Sequence, residues 1–64
     1  MSSIEWVEEV ARTKWVSHHN LYEVERCEND LWAAGLVGDR DLFFSKREAF
    51  SFCELLEKRS LEND

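Results

Sequence analysis

The sequence predicts an α+β fold, in which a three- or four-stranded antiparallel β-meander carries a C-terminal helix on one face and a short helix at its N-terminus. Residues 21–44 alternate apolar and charged side chains between turn-forming residues, which is typical of antiparallel strands. Residues 46–59 carry apolar side chains at helical spacing behind a capping sequence. The 64 residues are therefore expected to form one small domain that ends in a polar tail, residues 60–64.

The N-terminal segment is predicted to be a helix over residues 3–12. Ser2 and Glu5 occupy the two ends of a capping box. The apolar residues that follow form a stripe at helical spacing: Ile4, Val7, Ala11 and Trp15. A strand is the alternative, but its alternation would place charged side chains on both faces. Residues 14–17 are predicted to form a short edge strand, which turns into the meander through residues 18–20.

The first turn of the meander decides which side chains share a face. A three-residue turn at residues 28–30 collects the apolar side chains of both strands on one face, and Glu23 and Glu25 on the other. A two-residue turn would shift the register and mix charged with apolar side chains on each face, so the longer turn is favoured. The resulting cross-strand pairs are Tyr22–Leu36, Val24–Ala34 and Arg26–Trp32.

The same reasoning predicts a second three-residue turn at residues 38–40. It places Phe44 on the core face, where its ring would pack against Ala49 at the start of the following helix. Phe43 then points to the opposite face, across from Gly35, where an aromatic ring covers a glycine.

The C-terminal helix is predicted over residues 46–59, with Ser45 as the N-cap of a capping box. One arc of this helix is apolar and is expected to face the sheet: Ala49, Phe52, Cys53, Leu55 and Leu56. Phe50 lies outside the arc, beside Glu54 and Glu57, and is expected on the flank or surface of the domain.

The chain is acidic, because 14 Asp and Glu against 8 Lys and Arg give a net charge of −6. Direct binding to nucleic acid or to an anionic membrane needs a basic surface, so neither is expected. Residues 1–10 lack the basic and continuously apolar regions of a signal peptide, and no apolar run is long enough to span a membrane. The expected location is the cytoplasm, where Cys27 and Cys53 stay reduced.

The sequence contains no catalytic or cofactor-binding pattern, so we predict neither an enzyme nor a cofactor. His18 and His19 are the residues that most resemble metal ligands. They are weak candidates, because adjacent histidines lack the ligand spacing of a structural zinc site. A metal- or ligand-binding regulator is accordingly the least favoured hypothesis.

A strand, a turn and a capped helix meet in the segment Phe44-Ser45-Lys46-Arg47-Glu48-Ala49. Over residues 21–59 this pattern resembles small modules that combine a β-sheet with a helix. Among them are the arm-type domains of phage integrases, HicB-like antitoxins and small phage proteins that inhibit host enzymes. The basic character of the arm-type DNA-binding domains is missing here, and no single family is identified.

The leading hypothesis is a small acidic protein-binding module that occludes a basic surface of a nucleic-acid-handling protein. A phage-like inhibitor of the anti-CRISPR or nucleic-acid-mimic type would act in this way. The side chains expected to contact the partner are aromatic or acidic: Trp15, Glu23, Glu25, Phe43, Phe50, Glu54 and Glu57. The alternative is a homodimer whose sheet face self-associates and buries Phe43, with Trp15 as a further candidate, because so short a chain has a small core.

Overall fold

The structure, a computed structural model, describes residues 4–62. Five strands follow one another along the chain: β1 (Trp6–Val10), β2 (Lys14–Ser17), β3 (Tyr22–Arg26), β4 (Trp32–Leu36) and β5 (Asp39–Phe43). They form one antiparallel sheet in the order β1-β2-β3-β4-β5, and the helix α1 (Lys46–Glu62) packs against β3, β4 and β5. The α+β prediction is confirmed, but the meander has five strands and not three or four.

The N-terminal segment forms a strand, so the predicted helix over residues 3–12 is wrong for the part that the structure describes; residue 3 lies outside it. β1 pairs with β2, and Trp6 lies opposite Ser17. The helix was predicted because a strand here would carry charged side chains on both faces. An edge strand tolerates this arrangement, because its charged side chains stay exposed. The strand predicted at residues 14–17 is β2, which lies inside the sheet because β1 occupies the edge.

A β-bulge interrupts β1 between Glu8 and Val10. The extra residue lets Val7 and Val10 lie on the same face of the sheet, although they are an odd number of residues apart. This is the face turned away from α1, and we call it the open face. Its side chains come from all five strands: Val7, Val10, Lys14, Val16, Glu23, Glu25, Ala33, Arg40 and Leu42.

The register between β3 and β4 confirms the predicted three-residue turn at residues 28–30. The observed pairs are Tyr22–Leu36, Val24–Ala34 and Arg26–Trp32. Asn29 and Asp30 take φ values of 61° and 60°, a left-handed conformation that these two residue types tolerate better than most. Val24 and Ala34 are fully buried under α1, as the segregation of apolar side chains predicted.

The turn between β4 and β5 is shorter than predicted, and the three-residue turn at residues 38–40 is wrong. Leu36 pairs with Asp39, so the loop consists of Val37 and Gly38 alone. Gly38 has a φ of +90°, which a residue with a side chain rarely adopts. The single glycine at this position therefore permits the tighter turn.

The shorter turn places the β5 side chains on the faces opposite to those predicted. Phe43 lies opposite Trp32 on the face covered by α1, and its ring centroid is 5.0 Å from that of Phe52. Phe44, predicted to be core and to pack against Ala49, is instead 86% exposed. One phenylalanine of the pair is packed under the helix in either register, and the length of the turn decides which.

Helix α1 begins at its predicted N-cap. The backbone N–H of Glu48 donates to the Ser45 hydroxyl at 3.1 Å. The helix extends to Glu62, so residues 60–62 of the predicted tail are helical. No helix within residues 4–62 combines the length and apolar character that a membrane crossing requires.

The core lies between the sheet and the buried side of α1. Its buried residues are Ile4, Tyr22, Val24, Ala34, Ala49 and Cys53. Leu56 and Phe52 pack at its margin as the apolar arc predicted, but Leu55 is 45% exposed. Glu57 lies on the buried side of the helix, a position that the apolar pattern did not predict.

Candidate functional site

The aromatic residues expected to contact a partner take part in the packing between sheet and helix. The ring centroid of Phe50 is 4.9 Å from that of Trp6 and 5.4 Å from that of Trp15. The Lys46 ammonium lies 4.5 Å from the Trp15 centroid, as a cation–π contact. Phe43, Phe50 and Trp15 are all partly buried against the core. Their rings are engaged within the chain, so an exposed binding surface has to be sought at other side chains.

Glu23 and Glu25 lie on the open face, and both contact Arg40. The Arg40 Nη1 is 3.2 Å from Glu23 Oε1 and 2.8 Å from Glu25 Oε1. The hydrogen bond to Glu25 raises the pKa of Arg40 above its ordinary value. The two carboxylates are therefore partly neutralised within the chain, whereas Glu54 is exposed on the outer side of α1.

A hydrogen-bonded cluster that was not predicted joins the turn after β2 to α1. The Ser17 hydroxyl oxygen lies 2.9 Å from His19 Nδ1, and His19 Nε2 lies 2.6 Å from Glu57 Oε2. Ser17 Oγ also accepts the backbone N–H groups of Leu21 and Tyr22, at 3.1 and 3.0 Å. Glu57, expected to contact a partner, is only 9% exposed and connects the helix to the sheet.

The order of hydroxyl, imidazole and carboxylate is that of a Ser–His–acid catalytic relay, but burial prevents this use. Ser17 is 1% exposed, and both lone pairs of its hydroxyl accept backbone N–H groups. A substrate carbonyl could not reach the oxygen, and the oxygen has no free lone pair for attack. The cluster therefore positions the turn and does not perform chemistry.

Two further ionisable groups lie in the core beside the cluster. Burial, with a contribution from the Glu57 carboxylate, raises the pKa of Tyr22. Burial also raises the pKa of Cys53 to about 11. Cys53 and Cys27 are both free thiols. Because a protonated thiol is a poor nucleophile, Cys53 acts as a small apolar core residue.

His18, the other weak metal candidate, is engaged by the backbone. Its Nδ1 accepts the N–H of Glu5 at 3.1 Å, and its ring centroid lies 4.5 Å from that of His19. Across the described part of the chain, no three His, Cys, Asp or Glu side chains come together in a way that could hold a metal ion. The histidines therefore organise the turn after β2.

Three exposed apolar residues lie at the end of the sheet where β2 turns into β3 and β4 turns into β5. Leu21 and Val37 are neighbours there, since the Val37 N–H donates to the Leu21 carbonyl at 3.0 Å. Leu36 precedes Val37 in the same turn. We call Leu21, Leu36 and Val37 the hairpin-tip surface; they are 51%, 45% and 54% exposed, respectively.

Two exposed acidic residues, Asp39 and Glu5, lie at the same end of the sheet as the hairpin-tip surface. Asp39 is the cross-strand partner of Leu36, and the carbonyl of Glu5 accepts the N–H of His18 in the turn after β2. Both carboxylates belong to exposed residues, and neither forms an ion pair with another residue of the range 4–62. This end of the sheet thus carries both exposed apolar and exposed acidic residues.

Comparisons with protein-family models, with curated proteins and with solved structures found no match for this chain. Two signals in the sequence point to the residues that were not predicted. Leu21 and Val37 adjoin turn residues, where an apolar side chain has little to pack against. Ser17 and His19 flank the start of a turn, where a serine hydroxyl close in sequence can bond the turn's own polar groups.

Proposed function

We propose that this chain is a small, non-enzymatic protein-binding module that binds through the hairpin-tip surface. The observation that carries the proposal is that Leu21 and Val37, both half-exposed, are cross-strand neighbours, with half-exposed Leu36 next to Val37 in the chain. Single exposed apolar residues are ordinary on small proteins, but contiguous ones mark interaction sites. Because they lie at or beside the ends of two hairpins, they can enter an apolar pocket of a partner.

The partner carries basic side chains around that pocket. The chain has a net charge of −6, which attracts a basic surface during encounter. Glu5 and Asp39 lie at the same end of the sheet as the hairpin-tip surface and form no ion pair in the described part of the chain, so their carboxylates are available to Lys or Arg of the partner.

A protein that handles nucleic acid has a basic surface of this kind. The chain would inhibit it by occlusion, in the manner of a phage-like inhibitor of the anti-CRISPR or nucleic-acid-mimic type. The assignment to this class follows from small size and acidic charge. The expected compartment is the cytoplasm, in keeping with the two free thiols, Cys27 and Cys53.

Affinity capture from cells with three forms of the chain tests the proposal. The forms are wild type, the tip variant Leu21→Ser/Val37→Ser, and the matched control Val7→Ser/Val10→Ser, whose residues are 57% and 51% exposed on the open face. Each substitution changes an exposed side chain, so the fold should be affected by only about 0.5 kcal/mol per residue.

A basic protein should be retained by wild type and control and lost by the tip variant. Its retention should fall when the salt concentration rises from about 0.1 M to about 0.5 M. Added nucleic acid should displace the chain from it. Loss with the control but not with the tip variant would place the interface on the open face, and a captured partner without a basic surface would contradict the proposed class.

A homodimer formed through the open face is the second candidate. Three aliphatic residues are strongly exposed there: Val7 57%, Val10 51% and Leu42 62%. The carboxylates near this face have cationic partners within the chain, since Arg40 contacts Glu23 and Glu25, and Lys14 lies 3.8 Å from Glu9. A second copy would therefore meet less repulsion here than the net charge of −6 suggests.

Phe43 and Trp15, which were expected in a self-associating face, lie on the side covered by α1 and cannot contribute to it. Sedimentation equilibrium at micromolar concentration tests the dimer. A dimer that Leu42→Asp converts to monomer would support it. A wild-type chain that is monomeric at these concentrations would remove this candidate and leave the hairpin-tip proposal unaffected.

A further inference from the structure

The Ser17 hydroxyl uses all of its hydrogen-bonding capacity. It is 1% exposed, and its oxygen accepts the N–H of Leu21 at 3.1 Å and of Tyr22 at 3.0 Å. A serine hydroxyl has two acceptor lone pairs and one hydrogen. With both lone pairs occupied, the hydrogen points to the third neighbour, His19 Nδ1, at 2.9 Å.

This arrangement fixes the position of the proton on the neutral His19 ring. Because Nδ1 accepts a hydrogen bond, the single ring proton lies on Nε2. From there it is donated to Glu57 Oε2 at 2.6 Å, and the Glu57 side chain is only 12% exposed. A continuous chain of hydrogen bonds thus runs from the turn after β2 to the C-terminal half of α1.

We propose that Ser17, His19 and Glu57 form a pH-sensitive latch, in which a second proton on the His19 ring releases the turn at residues 18–21 from Ser17. The second proton goes to Nδ1 and faces an oxygen that already accepts two N–H groups. The Ser17 hydrogen then loses its acceptor in a site shielded from water, which is unfavourable. The contact with Glu57 becomes charge-assisted and persists.

The other ionisable groups that face the cluster do not replace the lost bond. The Tyr22 ring of β3 lies 5.5 Å from that of His19, and Cys53 faces Tyr22 from α1. His18 stacks at 4.5 Å, but its Nδ1 already accepts the N–H of Glu5. A proton on His18 would break that separate bond, and two charged rings in contact repel each other. The two histidines must therefore be resolved in the experiment.

NMR of the ¹⁵N-labelled wild-type chain, at about pH 7.5 and at about pH 5, tests the latch across the range in which histidine takes up its second proton. At the higher pH, the His19 ring should be the Nε2–H tautomer. As His19 is protonated, amide-exchange protection of Leu21 and Tyr22 should fall about tenfold after correction for intrinsic exchange, because one hydrogen bond of the turn is lost. The α1 amides around Glu57 should keep their protection.

Two matched variants resolve the histidines. His18→Gln should retain the pH dependence at Leu21 and Tyr22, and His19→Gln should abolish it because glutamine does not take up a proton. An Nδ1–H tautomer at the higher pH, or unchanged protection of the two amides after His19 is protonated, would overturn the latch. The wild-type spectra decide this even if a variant fails to fold. The measurement uses the free chain and is independent of any partner.

Discussion

Gly35 and Gly38 allow a paired test of the register between β4 and β5. Both have positive φ, +141° and +90° respectively. A Cβ added at Gly35 would lie 3.0 Å from the carbonyl oxygen of Asp39 and 3.5 Å from the ring of Phe52, whereas one added at Gly38 would meet nothing within 4 Å. Gly38→Ala should therefore lower the free energy of unfolding only through backbone strain at positive φ. Gly35→Ala should lower it through the same strain and, in addition, through a steric clash.

The two costs can be given magnitudes. A non-glycine residue in a disfavoured φ region costs about 1–3 kcal/mol. Overpacking against a neighbour that cannot move adds about 1–3 kcal/mol at Gly35, where the neighbour is main chain. At about 0.05–0.15 kcal/mol per residue, a domain of 64 residues has only about 3–10 kcal/mol of stability. Gly38→Ala should remain folded, and Gly35→Ala should lose much or all of its folded population.

Urea unfolding followed by tryptophan fluorescence and by far-ultraviolet circular dichroism measures both variants against wild type. The expected result is a modest decrease of the midpoint for Gly38→Ala and a much larger one for Gly35→Ala. Equal decreases would refute the reasoning, because Gly35 would then lack its close contact with Asp39, and the two-residue turn that creates this contact would be in doubt.

Two further predictions concern the core. Phe50→Ala should lower the free energy of unfolding by about 3 kcal/mol, because the ring packs on two tryptophans. Phe44→Ala should change it by less than about 0.5 kcal/mol, because this ring is exposed. A larger loss for Phe44→Ala in urea unfolding would contradict the observed register. Burial raises the pKa of Cys53 to about 11, so the folded chain keeps a proton that the unfolded chain loses near pH 9.0. This contribution to the free energy of unfolding should therefore be fully present below about pH 9 and fall by about 2–3 kcal/mol as the pH rises towards 11. Cys53→Ala should flatten this decrease. An unchanged pH dependence in the variant would contradict the role of Cys53.

The parts of the fold that were predicted correctly are those with burial on a defined face. In β3 and β4, the alternation of charged and apolar residues indicates which side chains are buried under α1. The pairing of Val24 with Ala34 could be predicted from this alternation. The capped start of α1 was also predictable, because Ser45 and the backbone of Glu48 are local in sequence. In these segments the pattern and the packing depend on the same side chains.

Both errors in the fold fall on edge strands. The observed β4–β5 register places Asp39 and Asp41 on the same side of the sheet as α1, and apolar segregation argued against it. These residues stay exposed because they lie at the edge, just as Glu8 does on β1. Alternation at an edge carries little information on burial, so it could not decide between helix and strand or between two turn lengths.

The role of Glu57 could not be predicted from the helix alone. On a wheel of about 100° per residue, Glu57 lies between Cys53 and Phe50, and the arc that contacts the sheet spans all three. The apolar residues of the predicted arc end at Cys53, so Phe50 was expected on the flank or surface and Glu57 at the surface. The partner that makes burial of Glu57 acceptable, His19, is 38 residues away and is brought near only by the folded sheet.

The order of the strands along the chain has a consequence for synthesis. Each strand pairs with the one before it, so the hairpins can form in turn as the chain emerges from the ribosome. The helix that covers Trp6, Trp15 and Trp32 is made after all five strands, and its 17 residues need about 1–3 s at ordinary translation rates. Until this helix has emerged and docked, the part of the sheet already formed exposes its tryptophans to water. A chain truncated before α1 would keep all three exposed and would be prone to aggregation.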